Sequence, residues 1–129
     1  MCPQNKHVVV MLTVGKADNG KRATLAFSCA LSALAMGNKA SVFLTSDGAV
    51  WGYQGSGNGI SVQGFPPLDE LITQYHESGG RILLCSVCHK TCGFGGPGEL
   101  STIDMLPQIE IGGFVTMLEL ATEGIVITF

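Results

Sequence analysis

The feature that most constrains the fold is a run of β-branched and apolar residues near the start of the chain, His7 to Val14. Its residues are apolar at consecutive positions, so both faces of a strand formed here would be buried. A strand of this kind is typical of the centre of a parallel sheet that carries helices on both faces. The next segment, 20–36, has the pattern of an apolar helix that Asp18 or Asn19 caps and Gly37 ends.

Strand and helix patterns continue to alternate along the rest of the chain. Further strands are predicted at 40–45, 81–85, 109–111 and 125–129, and further helices at 68–78, 100–106 and 112–122. This alternation indicates an α/β fold, with a mainly parallel five-stranded sheet between layers of helices. The length fits one domain, and we expect it to cover residues 1–129.

One stretch, 46–64, lacks a clear period and is rich in glycine. It contains Trp51 and Tyr53, and Phe65 follows it directly. Long irregular stretches in a small domain usually carry function or contact another subunit. Because 46% of the residues are hydrophobic and only 13% are charged, we expect these aromatic side chains to pack against another subunit of a homo-oligomer.

Charge and hydropathy exclude several classes of partner. The net charge is −3 and there is no basic stripe, which argues against nucleic acid and anionic membranes as partners. The longest apolar stretch, 23–36, is too short to span a bilayer. The polar start, Met1 to Lys6, has no signal-peptide pattern, so we expect a cytoplasmic protein with reduced cysteines.

The candidate site is a cluster of three cysteines directly after the predicted strand 81–85. Cys85, Cys88 and Cys92 lie within eight residues, together with His89 and Lys90. In parallel sheets ligands bind beyond the carboxyl ends of the strands, which is where this cluster falls. Free N–H groups at a helix start and nearby positive charge would both favour the reactive thiolate form.

Four chemical interpretations of the cluster remain open. Cys85 or Cys88 could carry a persulfide, or the two could form a C-x-x-C dithiol-disulfide pair. Cys85, Cys88, His89 and Cys92 could bind a metal ion. C-x-x-C-H also fits covalent haem attachment, although the export context for it is missing. Against these stands a purely structural role for buried thiols, which we expect for Cys29 on the apolar helix.

Taken together, the elements resemble the DsrE/DsrF-like family of small sulfur-relay proteins. The resemblance is carried by the opening strand and helix (8–36), the Phe-x-x-x-Asp-Gly segment (43–50), Cys85 at a strand end, and the ending from Gly112-Gly113-Phe114 to Ile127-Thr128-Phe129. It implies a flavodoxin-like three-layer α/β/α sandwich and homo-oligomers, commonly trimers or hexamers. It also implies that Cys85 accepts sulfane sulfur as a persulfide. Some members carry a second cysteine matching Cys88, whereas Cys92 departs from the pattern.

The predicted function is that of a sulfur carrier, either an enzyme of the sulfurtransferase type or a relay subunit, working with sulfur donor and acceptor proteins. Cys85 would carry the persulfide, Cys88 would resolve it or accept the sulfur, and His89 with local N–H groups would stabilise the thiolate. No cofactor is expected. The alternative is a metal- or small-ligand-binding module without turnover that uses Cys85, Cys88, His89 and Cys92.

Overall fold

The computed structural model describes residues 6–91 and 105–129, without the side chains of 89–91. Its five strands are β1 (His7–Leu12), β2 (Lys39–Leu44), β3 (Arg81–Cys85), β4 (Ile109–Gly112) and β5 (Ile125–Thr128). They form one sheet in the order β4-β3-β2-β1-β5, and every neighbouring pair is parallel. The predicted five-stranded sheet is confirmed, and it is all parallel.

Within the described residues, four α-helices connect the strands: α1 (Lys21–Ala35), α2 (Leu68–Glu77), α3 (Ser86–Thr91) and α4 (Phe114–Leu120). Since β-α-β crossovers are right-handed, α1 and α2 lie on one face of the sheet, and α4, whose connection runs back from β4 to β5, lies on the other. Aromatic side chains pack on both faces of the sheet. Phe27 of α1 packs edge-on to Tyr75 of α2 at 5.7 Å, and Phe114 of α4 lies 5.6 Å from Phe43 of β2. The α/β fold with helices on both faces is thus confirmed.

The central position predicted for the first strand is also confirmed. β1 pairs with β2 on one side and with β5 on the other, and Val9, Val10 and Leu12 are fully buried. Beyond β1, a short 3-10 helix (Lys16–Asp18) precedes α1. The N-cap position of α1 is Gly20 rather than Asp18 or Asn19, which the sequence predicted. The carboxylate of Asp18 nevertheless accepts a hydrogen bond from the backbone N–H of Arg22 in the first turn.

The prediction for Trp51 and Tyr53 was wrong. A 3-10 helix (Ser46–Gly52) follows β2 and folds back over the carboxyl edge of the sheet, where both aromatic side chains are at most 1% exposed within their own chain. The indole N–H of Trp51 donates to the Val14 carbonyl at 2.9 Å. Both side chains are therefore buried within one chain, without contact with another subunit. Phe65 is 36% exposed.

The predicted helix 100–106 falls mostly outside the described residues. At its end, Met105 pairs with Tyr53 in an antiparallel bridge, and the N–H of Leu106 donates to the Gly52 carbonyl. These two residues are therefore extended and hydrogen-bonded to the segment after β2.

Candidate functional site

The two cysteines of the C-x-x-C pair lie where β3 passes into α3. Cys85 is the last residue of β3, and α3 begins at Ser86. Cys88 is three residues further on, so one helical turn brings it back over Cys85. The two thiols are hydrogen-bonded to each other. Their exposed fractions are small, 1% for Cys85 and 9% for Cys88.

The neighbouring strand supplies the other polar partners of this pair. Leu44 of β2 pairs with Leu84 of β3, so Thr45 comes directly beside Cys85 at the carboxyl edge of the sheet. The Thr45 hydroxyl lies 3.6 Å from the Cys88 sulfur and also hydrogen-bonds Cys85. Thr45 is itself only 7% exposed. A single buried hydroxyl thus contacts both thiols.

The next residue, Ser46, holds Cys88 through its backbone. The N–H of Ser46 donates to the Cys88 sulfur at 3.1 Å. Ser46 has φ 54°, in the left-handed region that residues other than glycine seldom adopt. Such strain persists only where the surrounding structure enforces it, and it often marks functional sites. Here it accompanies the contact between this amide and the thiol.

The environment lowers the pKa of the Cys85 thiol. Burial, the largest single influence, raises the pKa, but the hydrogen bonds that this sulfur accepts together outweigh it. These bonds come, in order of effect, from the backbone N–H of Cys88, the Thr45 hydroxyl, the Cys88 thiol and the backbone N–H of Val87. Hydrogen bonds to the charged form favour it, so Cys85 is a thiolate at lower pH than an ordinary cysteine.

The pKa of Cys88 moves in the opposite direction. Burial is again the largest influence and raises it, while the Thr45 hydroxyl and the Ser46 N–H lower it. The neighbouring Cys85 adds a further increase, because two thiolates in contact repel each other, and the pKa of Cys88 ends above its usual value. The pair is therefore asymmetric: its surroundings favour the thiolate form at Cys85 and the protonated form at Cys88.

Comparison with known proteins assigns this chain to a family. The profile of the DsrE/DsrF-like family matches residues 6–129. The chain belongs to the DsrE/DsrF-like family. The crystal structure of the YchN protein from E. coli resembles it with a TM-score of 0.71 at 17% sequence identity, over 98% of this chain and 100% of YchN. No curated protein sequence matches this chain significantly.

Membership in the DsrE/DsrF-like family supports a role of the sulfur-relay type in general, and its members work in sulfur-relay complexes. The likeness to YchN supports the fold, which is the five-stranded parallel α/β architecture described above. None of the helices within residues 6–91 and 105–129 is long and apolar enough to cross a bilayer.

The structure of this DsrE/DsrF-like chain brings together two of the predicted site residues, Cys85 and Cys88. His89 belongs to α3, but its side chain lies outside the description, and so does Cys92. Cys29 is half-buried on α1, and burial raises the pKa of its thiol. This placement fits the structural role expected for Cys29.

The metal-binding alternative extends beyond what the structure describes. Two of its four ligands, the side chain of His89 and Cys92, are not among the described groups. Within the part of the chain that is described, no three His, Cys, Asp or Glu side chains are grouped so that they could hold a metal ion.

Sequence reasoning missed Thr45 and Ser46 as site residues. A signal was present, since Thr45 is a polar residue at the end of a predicted strand, and the carboxyl ends of parallel strands share one edge of the sheet. The sequence pattern does not show the order of the strands in the sheet. Only the pairing of β2 with β3 shows that Thr45 lies beside Cys85 rather than beside another strand end.

Proposed function

We propose that this protein is a sulfur carrier, in which the Cys85 thiolate accepts sulfane sulfur as a persulfide and passes it to a partner thiol. The observation that carries the proposal is the asymmetric dithiol at the carboxyl edge of the sheet, with the pKa of Cys85 lowered and that of Cys88 raised. Residues 1–129 would act as one domain, in the cytoplasm, where thiols stay reduced.

Loading is a displacement at sulfur. The Cys85 thiolate attacks the outer sulfur of a donor persulfide, R–S–SH, and forms a new S–S bond. The S–S bond of the donor breaks, and R–S⁻ leaves with the electron pair. Cys85 then carries the –S–SH group. The N–H groups of Val87 and Cys88 and the Thr45 hydroxyl stay aimed at this sulfur, and His89 would add positive charge near it.

Unloading has two routes that involve Cys88. A thiolate formed at Cys88 attacks the outer sulfur, becomes the persulfide itself and returns Cys85 to the thiolate. Attack on the inner sulfur instead forms a Cys85–Cys88 disulfide and expels HS⁻. A reductant must then reduce this disulfide to restore the dithiol. The hydrogen bond between the two thiols supports both routes, since it places the second sulfur next to the first.

We also propose that the carrier is a homo-oligomer, a trimer or a hexamer, that meets separate sulfur donor and acceptor proteins. The support is an exposed apolar surface made by Phe114, Val115 and Leu118 of α4, which are 51–70% exposed in the single chain. Leu118 lies one helical turn from both Phe114 and Val115, so it is a neighbour of each on the helix surface. A large exposed apolar patch of this kind marks an interaction surface.

The deciding experiment is mass spectrometry of the anaerobically purified protein before and after exposure to polysulfide. We expect added sulfur atoms on Cys85 or Cys88 that reduction removes. Cys85→Ser should abolish loading, and Cys29→Ser, the matched control, should leave it intact. Loading that persists in the Cys85→Ser protein would overturn the assignment. A stoichiometric metal ion that blocks loading would favour the binding module built on Cys85, Cys88, His89 and Cys92.

A further inference from the structure

A pocket of about 430 Å³ opens at the carboxyl edge of the sheet, the edge that also holds the dithiol. Its walls are the loop that follows β1, residues 13–17, and the start of the segment that follows β2, where Asp47 and Val50 line it. Both walls follow neighbouring strands, β1 and β2, and ligands of open parallel sheets bind beyond the carboxyl ends of the strands.

The two walls of the pocket are held rigidly against each other. A Cβ atom on Gly15 would lie 2.6 Å from the backbone oxygen of Asp47, and one on Gly48 would meet the carbonyl of Leu12. Only glycine permits these approaches of backbone to backbone. The indole N–H of Trp51 also joins these two segments, because it donates a hydrogen bond to the Val14 carbonyl. The pocket is therefore preformed.

The pocket and the thiols share one stretch of chain. Asp47 lines the pocket, and Ser46, the residue before it, donates its N–H to the Cys88 sulfur at 3.1 Å. One short segment therefore lines the pocket with Asp47 and contacts the dithiol with the residue before it.

Two opposite charges face this pocket. Lys16 and Asp47 both line it, and both are exposed. They form no ion pair with each other, since the ion pair found among the described residues joins Arg81 and Glu110. Apolar side chains of Val14, Ala17 and Val50 make up much of the remaining wall. A ligand that meets both charges carries a carboxylate for Lys16 and an ammonium group for Asp47.

We propose that this pocket binds a zwitterionic thiol of the cysteine type, either free cysteine or a short cysteine peptide, as the carrier of sulfane sulfur. The volume lies within the range of small-molecule sites, about 300–1,000 Å³. This inference rests on the proposed function for its chemistry: the bound persulfide, R–S–SH, gives its outer sulfur to the Cys85 thiolate and leaves as R–S⁻. Binding itself needs no reactive thiol.

Binding is measured first, without sulfur transfer. The probes are S-methylcysteine and S-methylglutathione, titrated by NMR into the Cys85→Ser/Cys88→Ser protein. We expect chemical-shift changes in residues 13–17 and 47–50. Lys16→Met and Asp47→Asn should each weaken binding about tenfold, which is the effect of one charge-assisted contact. Lys21→Met and Glu77→Gln, exposed charges away from the pocket, should leave it unchanged.

Sulfur loading is measured second, with protein that keeps both Cys85 and Cys88. Lys16→Met and Asp47→Asn should raise the concentration of cysteine persulfide or glutathione persulfide that gives half the maximal loading rate, whereas Lys21→Met and Glu77→Gln should leave this concentration unchanged. The preferred persulfide distinguishes the free amino acid from the peptide. Probe binding without any loading supports the pocket and contradicts the proposed function. Normal loading with no probe binding, or with binding unaffected by both variants, overturns the pocket.

Discussion

At the scale of single residues, the Thr45 hydroxyl links the charge states of the two thiols. Its hydroxyl contacts both sulfurs but has one proton, so it can donate to only one of them. When Cys85 is the thiolate, the hydroxyl donates to Cys85 and accepts from the S–H of Cys88. This arrangement favours charge on Cys85 and a proton on Cys88, in agreement with the directions in which their pKa values move.

The prediction that follows concerns Thr45→Val, which removes the hydroxyl and keeps the branched shape. Losing this donor raises the pKa of Cys85. Alkylation requires the thiolate, so below that pKa the reaction of Cys85 slows, by about tenfold at neutral pH, the effect of one hydrogen bond to a charged group. Peptide-resolved iodoacetamide rates between pH 5 and pH 10 measure this change. Thr45→Ser should behave like the natural protein.

In the natural protein, the pH midpoint of Cys85 alkylation should lie below that of Cys29, whose pKa is raised by burial. An unchanged pH profile in Thr45→Val would show that the remaining donors, the backbone N–H groups of Val87 and Cys88 and the Cys88 thiol, set the charge on Cys85.

The cysteines of this site could be predicted from the sequence, because they lie three residues apart in one strand-helix junction. The partners on β2 could not, because Thr45 and Ser46 precede the cysteines by about forty positions and join them only through sheet pairing.

At the scale of secondary-structure elements, the 3-10 helix Ser46–Gly52 positions the second wall of the site. Gly48 lies against the end of β1, where the Leu12 carbonyl occupies the space of a side chain. The N–H of Thr45 also donates to that carbonyl at 3.1 Å. The position of the Ser46 N–H relative to the Cys88 sulfur therefore depends on how closely this helix approaches β1.

Gly48→Ala tests this dependence. The new Cβ meets backbone rather than a flexible side chain, so the helix must move away from β1. We expect a loss of about 1–3 kcal/mol in the free energy of unfolding, measured by urea denaturation. We also expect slower alkylation of Cys88 near neutral pH, because loss of the Ser46 N–H raises the pKa of this thiol and leaves less thiolate.

Gly52→Ala is the matched control for this substitution. It lies in the same 3-10 helix, and its Cβ would make ordinary 3.5 Å contacts with the methyl groups of Leu44 and Leu84. It should have a much smaller effect on stability and none on Cys88. Equal effects of the two substitutions would contradict the role assigned to Gly48.

The elements themselves differ in how well local pattern predicts them. The predicted strand 81–85 agrees with β3 to the residue, since its apolar run is bounded by the double glycine before it and the helix start after it. The segment 46–64 has no period, because a 3-10 helix is too short to show one. The burial of Trp51 and Tyr53 there depends on contacts with Val14 and Met105, far away in the sequence.

At the scale of the whole molecule, α4 carries an apolar surface that is exposed among the described residues. Met117 of α4 faces the sheet and is 6% exposed, while Leu118 beside it is 60% exposed. Both edge strands add exposed apolar side chains, Ile111 on β4 and Ile125 on β5. Association of copies through this surface would bury it.

Leu118→Glu is therefore expected to lower the oligomeric state seen by native mass spectrometry. The substitution is mild for an isolated chain, because the side chain is largely in water, but an unpaired charge in an apolar interface costs several kcal/mol. Met36→Glu is the control, since Met36 is 62% exposed and lies at the far end of α1. An oligomer that persists in Leu118→Glu and dissociates in Met36→Glu would place the interface elsewhere.

The sequence by itself determined the order of strands and helices, the central place of β1 and the position of Cys85 at a strand end. These follow from short-range patterns: consecutive apolar residues, helical spacing and glycines at the boundaries. The tertiary structure decided which strand ends meet. The order β4-β3-β2-β1-β5 brings Thr45 and Ser46 to Cys88 and places Asp47 across the pocket from Lys16. Such contacts arise from the packing of strands distant in sequence, which local periodicity does not encode.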